Sequence, residues 1–297
     1  MKTTRFSLVL AAVVLIPIFL PGMTFAQRLD EESRFGPGLA QFGEKSFLAW
    51  TGMDNNINIM QSRDGVDWGA KVRLDDTSEH PPALAATATT LFLAWTGMDG
   101  HINIMRSRDG VDWGAKIRLD ETSDLEPVLA ASDDQLFLVW RGSRDQNLNV
   151  MYSEDGIDWG SKVRLDDTTQ DRPAAAVHDG RVFIAWTGSG NGFINVMRSR
   201  DGVDWGAKVR LDETSDSGPG LASFNGKLFM TWRGKDNDFI NVMRSTEGVE
   251  WSAKIRLDES TTRSPVLSTL GDVLVLSWIG VKDRKVNIAR SRDGIDF

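Results

Sequence analysis

The sequence contains no cysteine and only one tyrosine among its 297 residues. Without cysteine the chain has no disulfide, no thiol nucleophile and no thiolate ligand for a metal. The single tyrosine, Tyr152, confines any phenolic chemistry to one position. Acidic residues outnumber lysine and arginine by 42 to 34, which gives a net charge of −8. We therefore expect no nucleic-acid partner, because a polyanion is repelled by a protein of this charge.

Long apolar runs are also scarce, and the one that exists lies at the N-terminus. Residues 8–20 are almost entirely apolar, follow Lys2 and Arg5, and precede the helix-breaking pair Pro21-Gly22. This pattern predicts a signal peptide over residues 1–26, with cleavage after Ala26. A membrane anchor is the alternative, but the run is shorter than the roughly 20 residues that a span requires. We expect a secreted or periplasmic protein that is monomeric and not inserted into a membrane after cleavage.

Tryptophan is abundant, with 11 residues, and it marks an internal repeat. The segment Ser-x-Asp-Gly-x-x-Trp first occurs at residues 62–68 and recurs every 45 or 46 residues, with Phe297 replacing the tryptophan in the last copy. The acidic position of the six copies is occupied by Asp64, Asp109, Asp155, Asp201, Glu247 and Asp293. A second landmark, similar to Phe-Leu-Ala-Trp, ends at Trp50, Trp95, Trp140, Trp186, Trp232 and Trp278. Self-similarity at this period is typical of a solenoid or propeller.

Each unit contains four short runs with strand-like alternation, which is the pattern of one propeller blade. The sequence thus predicts an all-β fold, a six-bladed β-propeller with four-stranded antiparallel blades over residues 27–297. Residues 28–33 match residues 210–215, the outer strand of a complete unit. We therefore expect an N-terminal strand to close the last blade. The Gly-Ala-Lys-Val stretch of complete units is missing before it, so this closing strand is expected to be short, and its order is left open.

The repeated turn resembles the Asp box, the bacterial neuraminidase repeat of sialidases and sialidase-like propellers, in a form one residue shorter than the commonest. The resemblance covers all six units. It implies a structural turn on the face opposite the active site, so the six repeated acidic residues are interpreted as scaffold. The repeated tryptophans and the repeated asparagines of the third strands are interpreted in the same way, as packing and backbone-satisfying residues.

Two features of the sialidase family are missing from this sequence. The resemblance implies an Arg-Ile-Pro motif in the first blade and a tyrosine nucleophile in the active site. The motif is absent, and Tyr152 directly precedes a repeated turn, which places it at the wrong face. We therefore favour a non-catalytic binding module for glycans or other extracellular polymers, with no catalytic residue assigned. A sialidase-like glycoside hydrolase with a diverged active site is the alternative.

Variation between the six units indicates where a ligand could bind. The units differ most in the loops before each first strand and after each second strand, on the face opposite the repeated turns. The candidate ligand-binding residues in these loops are Arg34, His80, His101, Arg141, Arg172, Arg233 and Arg263. A ring of arginines suits a carboxylate or sulfate group, and solvated salt bridges between blades are the alternative. Two histidines alone do not make a zinc site, so neither a metal nor a cofactor is predicted.

Overall fold

The computed structural model describes residues 27–282 and 284–297, which form 24 strands in six four-stranded sheets. The first strand is β1 (Gln27–Glu32). Blade 1 contains β2 (Gly38–Phe42), β3 (Lys45–Thr51), β4 (Asn56–Ser62) and β5 (Val72–Thr77). Blade 2 contains β6 (Ala83–Ala86), β7 (Leu91–Thr96), β8 (His101–Ser107) and β9 (Ile117–Thr122). Blade 3 contains β10 (Val128–Ala131), β11 (Leu136–Arg141), β12 (Asn147–Ser153) and β13 (Val163–Thr168).

The second half of the chain repeats this arrangement, and its last sheet takes one strand from the N-terminus. Blade 4 contains β14 (Ala174–His178), β15 (Arg181–Thr187), β16 (Phe193–Ser199) and β17 (Val209–Thr214). Blade 5 contains β18 (Gly220–Phe224), β19 (Lys227–Arg233), β20 (Phe239–Ser245) and β21 (Ile255–Ser260). Blade 6 contains β22 (Val266–Leu270), β23 (Val273–Ile279) and β24 (Lys285–Ser291), with β1 as its outer strand. All neighbouring strands are antiparallel, and each innermost strand contacts the innermost strand of the next blade around a closed ring. The predicted six-bladed propeller is therefore confirmed.

The ring is closed by the pairing of β1 with β24, in which Gln27 lies opposite Ile288 and Glu32 opposite Lys285. The expectation that this strand is short was wrong. It has six residues, as β5 has. In complete units the glycine, alanine and lysine of the missing stretch precede the strand, at positions such as 69–71, where only the Gly69 amide donates to β4, to the carbonyl oxygen of Gln61 at 2.8 Å. The N-terminal copy therefore lacks a connection and keeps a strand of full length.

Adjacent blades are held together by apolar side chains of the second strands. Six core clusters exist among the described residues, and each combines residues of two neighbouring blades. The second-strand tryptophans are almost fully buried in them. All six residues of β7 are buried, because both faces of this strand contact other blades. The core of this protein thus lies mainly between the blades.

The predicted signal peptide, residues 1–26, lies outside the described residues. No helix in the described part of the chain is long and apolar enough to span a membrane.

Candidate functional site

One face of the ring carries the six repeated turns, five with the pattern Ser-x-Asp-Gly and one with Glu247 in place of the aspartate, and we call it the turn face. In blade 2, Asp109 Oδ1 accepts hydrogen bonds from the amides of Val111 and Asp112 at 2.8 and 2.9 Å and from Ser107 Oγ at 3.0 Å. These bonds hold the pKa of Asp109 below its usual range. The following residue, Gly110, has φ +74° and packs against the ring of Phe47 in blade 1. The hydrogen bonds of Asp109 are thus made within its own turn, and the turn packs against the neighbouring blade.

Two other repeated sets serve the scaffold in the same way. The repeated asparagine of each third strand donates from Nδ2 to the carbonyl oxygen two residues earlier, as Asn149 does to Asn147 at 2.9 Å. Acidic residues at the ends of the outer strands pair with a lysine of the next blade, as Glu121 does with Lys162. Within residues 27–282 and 284–297 the pairs of this kind are Lys71–Glu31, Lys116–Asp76, Lys162–Glu121, Lys208–Asp167 and Lys254–Glu213.

The opposite face, which we call the cavity face, holds a central cavity of about 530 Å³. A proline precedes the innermost strand of every blade, at positions 37, 82, 127, 173, 219 and 265. The residue before that proline varies between the blades, with only glycine occurring twice, and in chain order it is Gly36, Pro81, Glu126, Arg172, Gly218 and Ser264. The first four and Ser264 line the cavity. Because only two of these six side chains are large and charged, the space at the centre of the ring is asymmetric.

Arg172 forms one wall of the cavity and connects three blades. Its Nε lies 3.3 Å from Glu126 Oε1 of the neighbouring blade 3, and its Nη2 donates to the carbonyl oxygen of Pro265 in blade 6 at 3.0 Å. The side chain passes over Gly218 of blade 5, where a Cβ atom would lie 2.8 Å from Arg172 Cγ and 2.4 Å from the Arg172 carbonyl oxygen. Only glycine leaves room for this arginine.

Glu126 is the titratable group with the most altered environment in the cavity. Its side chain is only 12% exposed, and burial raises its pKa to about 7, although Arg172 and Arg263 oppose the shift. Its Oε2 lies 3.9 Å from His80 Nδ1. Burial lowers the pKa of His80, which favours the neutral imidazole. Near neutral pH the cavity therefore contains a carboxyl group that can exist in either protonation state.

The rim of the cavity carries an aromatic shelf between blades 6, 1 and 2. The guanidinium carbon of Arg263 lies 5.1 Å from the centre of the Phe35 ring, and this ring lies 6.0 Å from that of His80. Arg263 is exposed, whereas Phe35 and His80 are partly buried. A flat ligand face can stack on such a shelf while its polar groups reach the charged wall.

The structure brings some of the predicted ligand-binding residues together and leaves others apart. His80, Arg172, Arg233 and Arg263 line the cavity. Arg34 is exposed and is not part of the lining. Arg141 pairs with Asp124 at 2.6 Å and donates to the carbonyl oxygen of Gln170, so it ties two loops together. His101 lies on β8 with Nδ1 2.9 Å from the carbonyl oxygen of Leu119 on the outer strand.

The sequence-based candidates were all arginines and histidines, so they did not include Glu126 and Phe35, which also line the cavity. The signal that finds Glu126 is its position directly before the proline of blade 3. The arginines of the lining also differ from the predicted anion-binding ring, because Arg233 pairs with Asp216 and Asp238 while Arg172 pairs with Glu126. Charges in the cavity are thus nearly balanced. No cluster of three metal-ligating side chains occurs in the described part of the chain.

No protein-family model and no curated protein sequence matches the chain. Solved structures of the same fold include sialidases and lectins. The Hadza microbial sialidase Hz136 is 16% identical with a TM-score of 0.64, over 91% of this chain and 68% of that one. The BP39L lectin from Burkholderia pseudomallei is 14% identical with a TM-score of 0.64, over 86% and 80%. The Aleuria aurantia lectin is 10% identical with a TM-score of 0.61, over 91% and 98%. At these identities the likeness shows a fold shared with sialidases and lectins.

Proposed function

We propose that the chain is an exported glycan-binding propeller that takes a neutral sugar in its central cavity. The observation that carries this proposal is the cavity itself, whose lining includes positions where the six units differ. The residues that repeat in every unit instead stabilise the turns and the contacts between strands and blades. Its size falls within the range of small-molecule sites in proteins, about 300–1,000 Å³.

Two properties of the cavity favour a neutral ligand. The lining arginines Arg172 and Arg233 already pair with carboxylates, which leaves no ring of free guanidinium groups for an anion. The shelf of Phe35 and His80 offers ring faces on which the apolar face of a sugar can stack, while Glu126 and Asp171 offer acceptors for hydroxyl groups.

Binding rather than hydrolysis is supported by the position of the single tyrosine. Tyr152 packs at the turn face, where a Cβ at Gly160 would lie 2.9 Å from its ring. It therefore has no access to the cavity at the other end of the ring. A tyrosine nucleophile, which the family resemblance implies for a sialidase, is absent from the cavity lining.

A glycan array with neutral and acidic glycans tests the proposal. We expect neutral glycans to bind and Phe35→Ala to weaken that binding at least tenfold, about 1.4 kcal/mol or more, because the variant removes the stacking surface. Met98→Ala is the matched control, since Met98 is 57% exposed and lies outside the lining. Binding restricted to acidic glycans, or unaltered by Phe35→Ala, contradicts the proposal.

Glycoside hydrolysis is the second candidate, and it rests on Glu126 alone. A buried carboxyl with a pKa of about 7 can donate a proton to a leaving-group oxygen at neutral pH. Release of 4-methylumbelliferone from neutral glycosides, abolished in Glu126→Gln, would establish this activity. Wild-type protein that binds a glycan without releasing any product assigns the cavity to binding.

A further inference from the structure

The outer strand of each blade carries an arginine at its second position, and in the first three blades a carboxylate neutralises it. Arg73 pairs with Asp54 at 3.3 Å, and both Arg118–Asp99 and Arg164–Asp145 pair at 2.9 Å. Each of these aspartates lies in the loop between the second and third strands of its own blade. The arginine is thus part of an ion pair in blades 1, 2 and 3.

Blades 4 and 5 differ from this pattern at two positions at once. The loop aspartate is replaced by Asn191 and Asn237, and the first residue of the third strand becomes Phe193 and Phe239. The arginines of these blades, Arg210 and Arg256, lie over the phenylalanine rings with their guanidinium carbons 4.4 Å from the ring centres. Within the described residues neither arginine has an ion pair. The paired substitution therefore exchanges a neutralised arginine for a stacked, unneutralised one.

The fold does not require this exchange. In blade 1 the Asp54 oxygen accepts a hydrogen bond from the Asn56 amide at 3.2 Å. In blade 4 the Asn191 oxygen accepts the equivalent bond from the Phe193 amide at 3.0 Å. Asparagine thus serves the turn as well as aspartate does and differs by lacking the charge. It also presents an amide that donates hydrogen bonds in place of a second acceptor oxygen.

A third cation lies beside the loop of blade 4 that precedes Phe193. A Cβ atom built on Gly192 of blade 4 would lie 3.7 Å from Lys235 Nζ, so this exposed lysine of blade 5 reaches the loop of the neighbouring blade. Arg210, Arg256 and Lys235 are all exposed. We call these three residues, with Phe193 and Phe239, the blade 4–5 patch. It places cationic donors together on a protein whose net charge is −8.

We propose that the blade 4–5 patch is a second binding site, specific for short oligosaccharides that carry carboxylate or sulfate groups. A guanidinium stacked on an aromatic ring keeps its hydrogen-bonding edge free, and that edge matches a carboxylate or sulfate bidentately. Two equivalent stacks on neighbouring blades suit a ligand whose anionic groups repeat along its chain. The overall negative charge opposes a long continuous polyanion and favours a ligand with few charges.

The decisive variant restores the aspartate that blades 1–3 possess. Asn191→Asp with Asn237→Asp places a carboxylate beside each arginine and keeps the acceptor of the turn. We expect wild-type protein to bind an oligogalacturonate or a sulfated galactose oligosaccharide in calorimetry at low salt, and the double variant to bind at least tenfold more weakly. Arg118→Ala, in the neutralised pair of blade 2, is the matched control and should leave the affinity unchanged.

Comparison of the probes separates the sources of the anion. Preference for oligogalacturonate identifies carboxylated sugars, and preference for the sulfated probe identifies sulfated ones. Equal affinity of the double variant and the wild type, absence of binding to both probes, or equal binding of an uncharged dextran oligosaccharide overturns the proposal. Tighter binding of a hexaglutamate peptide also overturns it, because it assigns the patch to acidic peptides. Thermal unfolding of the double variant at the wild-type temperature shows that the fold is intact.

Discussion

The two faces of the ring are built from the same six units, yet they use their polar residues in opposite ways. On the turn face, Ser107 and Asp109 bond to their own turn, and the same contacts recur in blades 1, 3, 4 and 6. On the cavity face, the residue before the repeated proline varies between the blades, and among the described residues the pair of Glu126 with Arg172 occurs once. Residues that repeat in the units thus stabilise the fold, and residues that differ between the units form the candidate sites.

The same contrast exists on the outer surface between blades 1–3 and blades 4 and 5. Blades 1–3 neutralise the outer arginine with an aspartate, whereas blades 4 and 5 leave it stacked on phenylalanine. The loop between the second and third strands keeps its hydrogen bond with either Asp54 or Asn191, because this turn needs only an acceptor oxygen. A repeat protein can therefore acquire a site in one blade without a change in its fold.

The largest effect is expected from a packing change on the turn face. In Gly156→Ala the new Cβ would lie 2.5 Å from the Phe92 ring at a φ of +72°, which should lower the free energy of unfolding by about 3 kcal/mol. Gly180→Ala, with φ +64° and no atom within 4 Å, should cost about 1 kcal/mol for the backbone alone. Denaturant unfolding measures both. Equal losses in the two variants would show that the contact between blades is not the cause.

A pH-dependent effect is expected from the cavity face. Folded Glu126 has a pKa of about 7 against 4.5 for a free glutamate, so the folded chain binds more protons between these values. The free energy of unfolding contributed by this group is therefore highest below pH 4.5 and falls as the pH rises towards 7. Glu126→Gln removes this titration. We expect the stability curve of the variant to be flatter over this window by about 1–3 kcal/mol.

Chemical denaturation at several pH values between 4.5 and 7 measures this difference. Glu154→Gln, at an exposed position of the turn face, is the control and should follow the wild-type curve. Parallel curves for wild type and Glu126→Gln would mean that Glu126 titrates normally, which would remove the argument for a proton donor in the cavity.

The smallest effect is expected within the turns themselves. Asp155 accepts hydrogen bonds from the amides of Ile157 and Asp158, whereas Glu247, at the equivalent position of blade 5, makes no side-chain hydrogen bond to any described residue. Asp155→Ala should lower the melting temperature by about 2–4 °C, and Glu247→Ala should leave it unchanged. Differential scanning calorimetry resolves a difference of this size. A larger loss in Glu247→Ala would show that the longer acid contributes in another way.

The fold could be predicted from the sequence because the repeat carries the strand pattern six times, and residues 28–33 match a complete outer strand. The cavity could be predicted only in part. The varying loops located its mouth, but the choice of arginine as a marker missed Glu126 and included Arg141, which binds neighbouring loops. Whether a guanidinium is free depends on which carboxylate lies beside it. Such contacts form within a blade, as between Arg233 and Asp238, or between blades, as between Arg172 and Glu126, and the spacing of the sequence does not show them.

The stoichiometry of glycan binding tests most directly the claim that the neutral-sugar site lies where the units differ. Isothermal titration of wild-type protein with a neutral glycan that the array identifies should give about one molecule bound per chain, because the cavity occurs once. The same titration with Phe35→Ala should give much weaker binding. Five or six molecules per chain, with affinity unchanged in Phe35→Ala, would place the ligand at repeated positions of the blades and contradict the account.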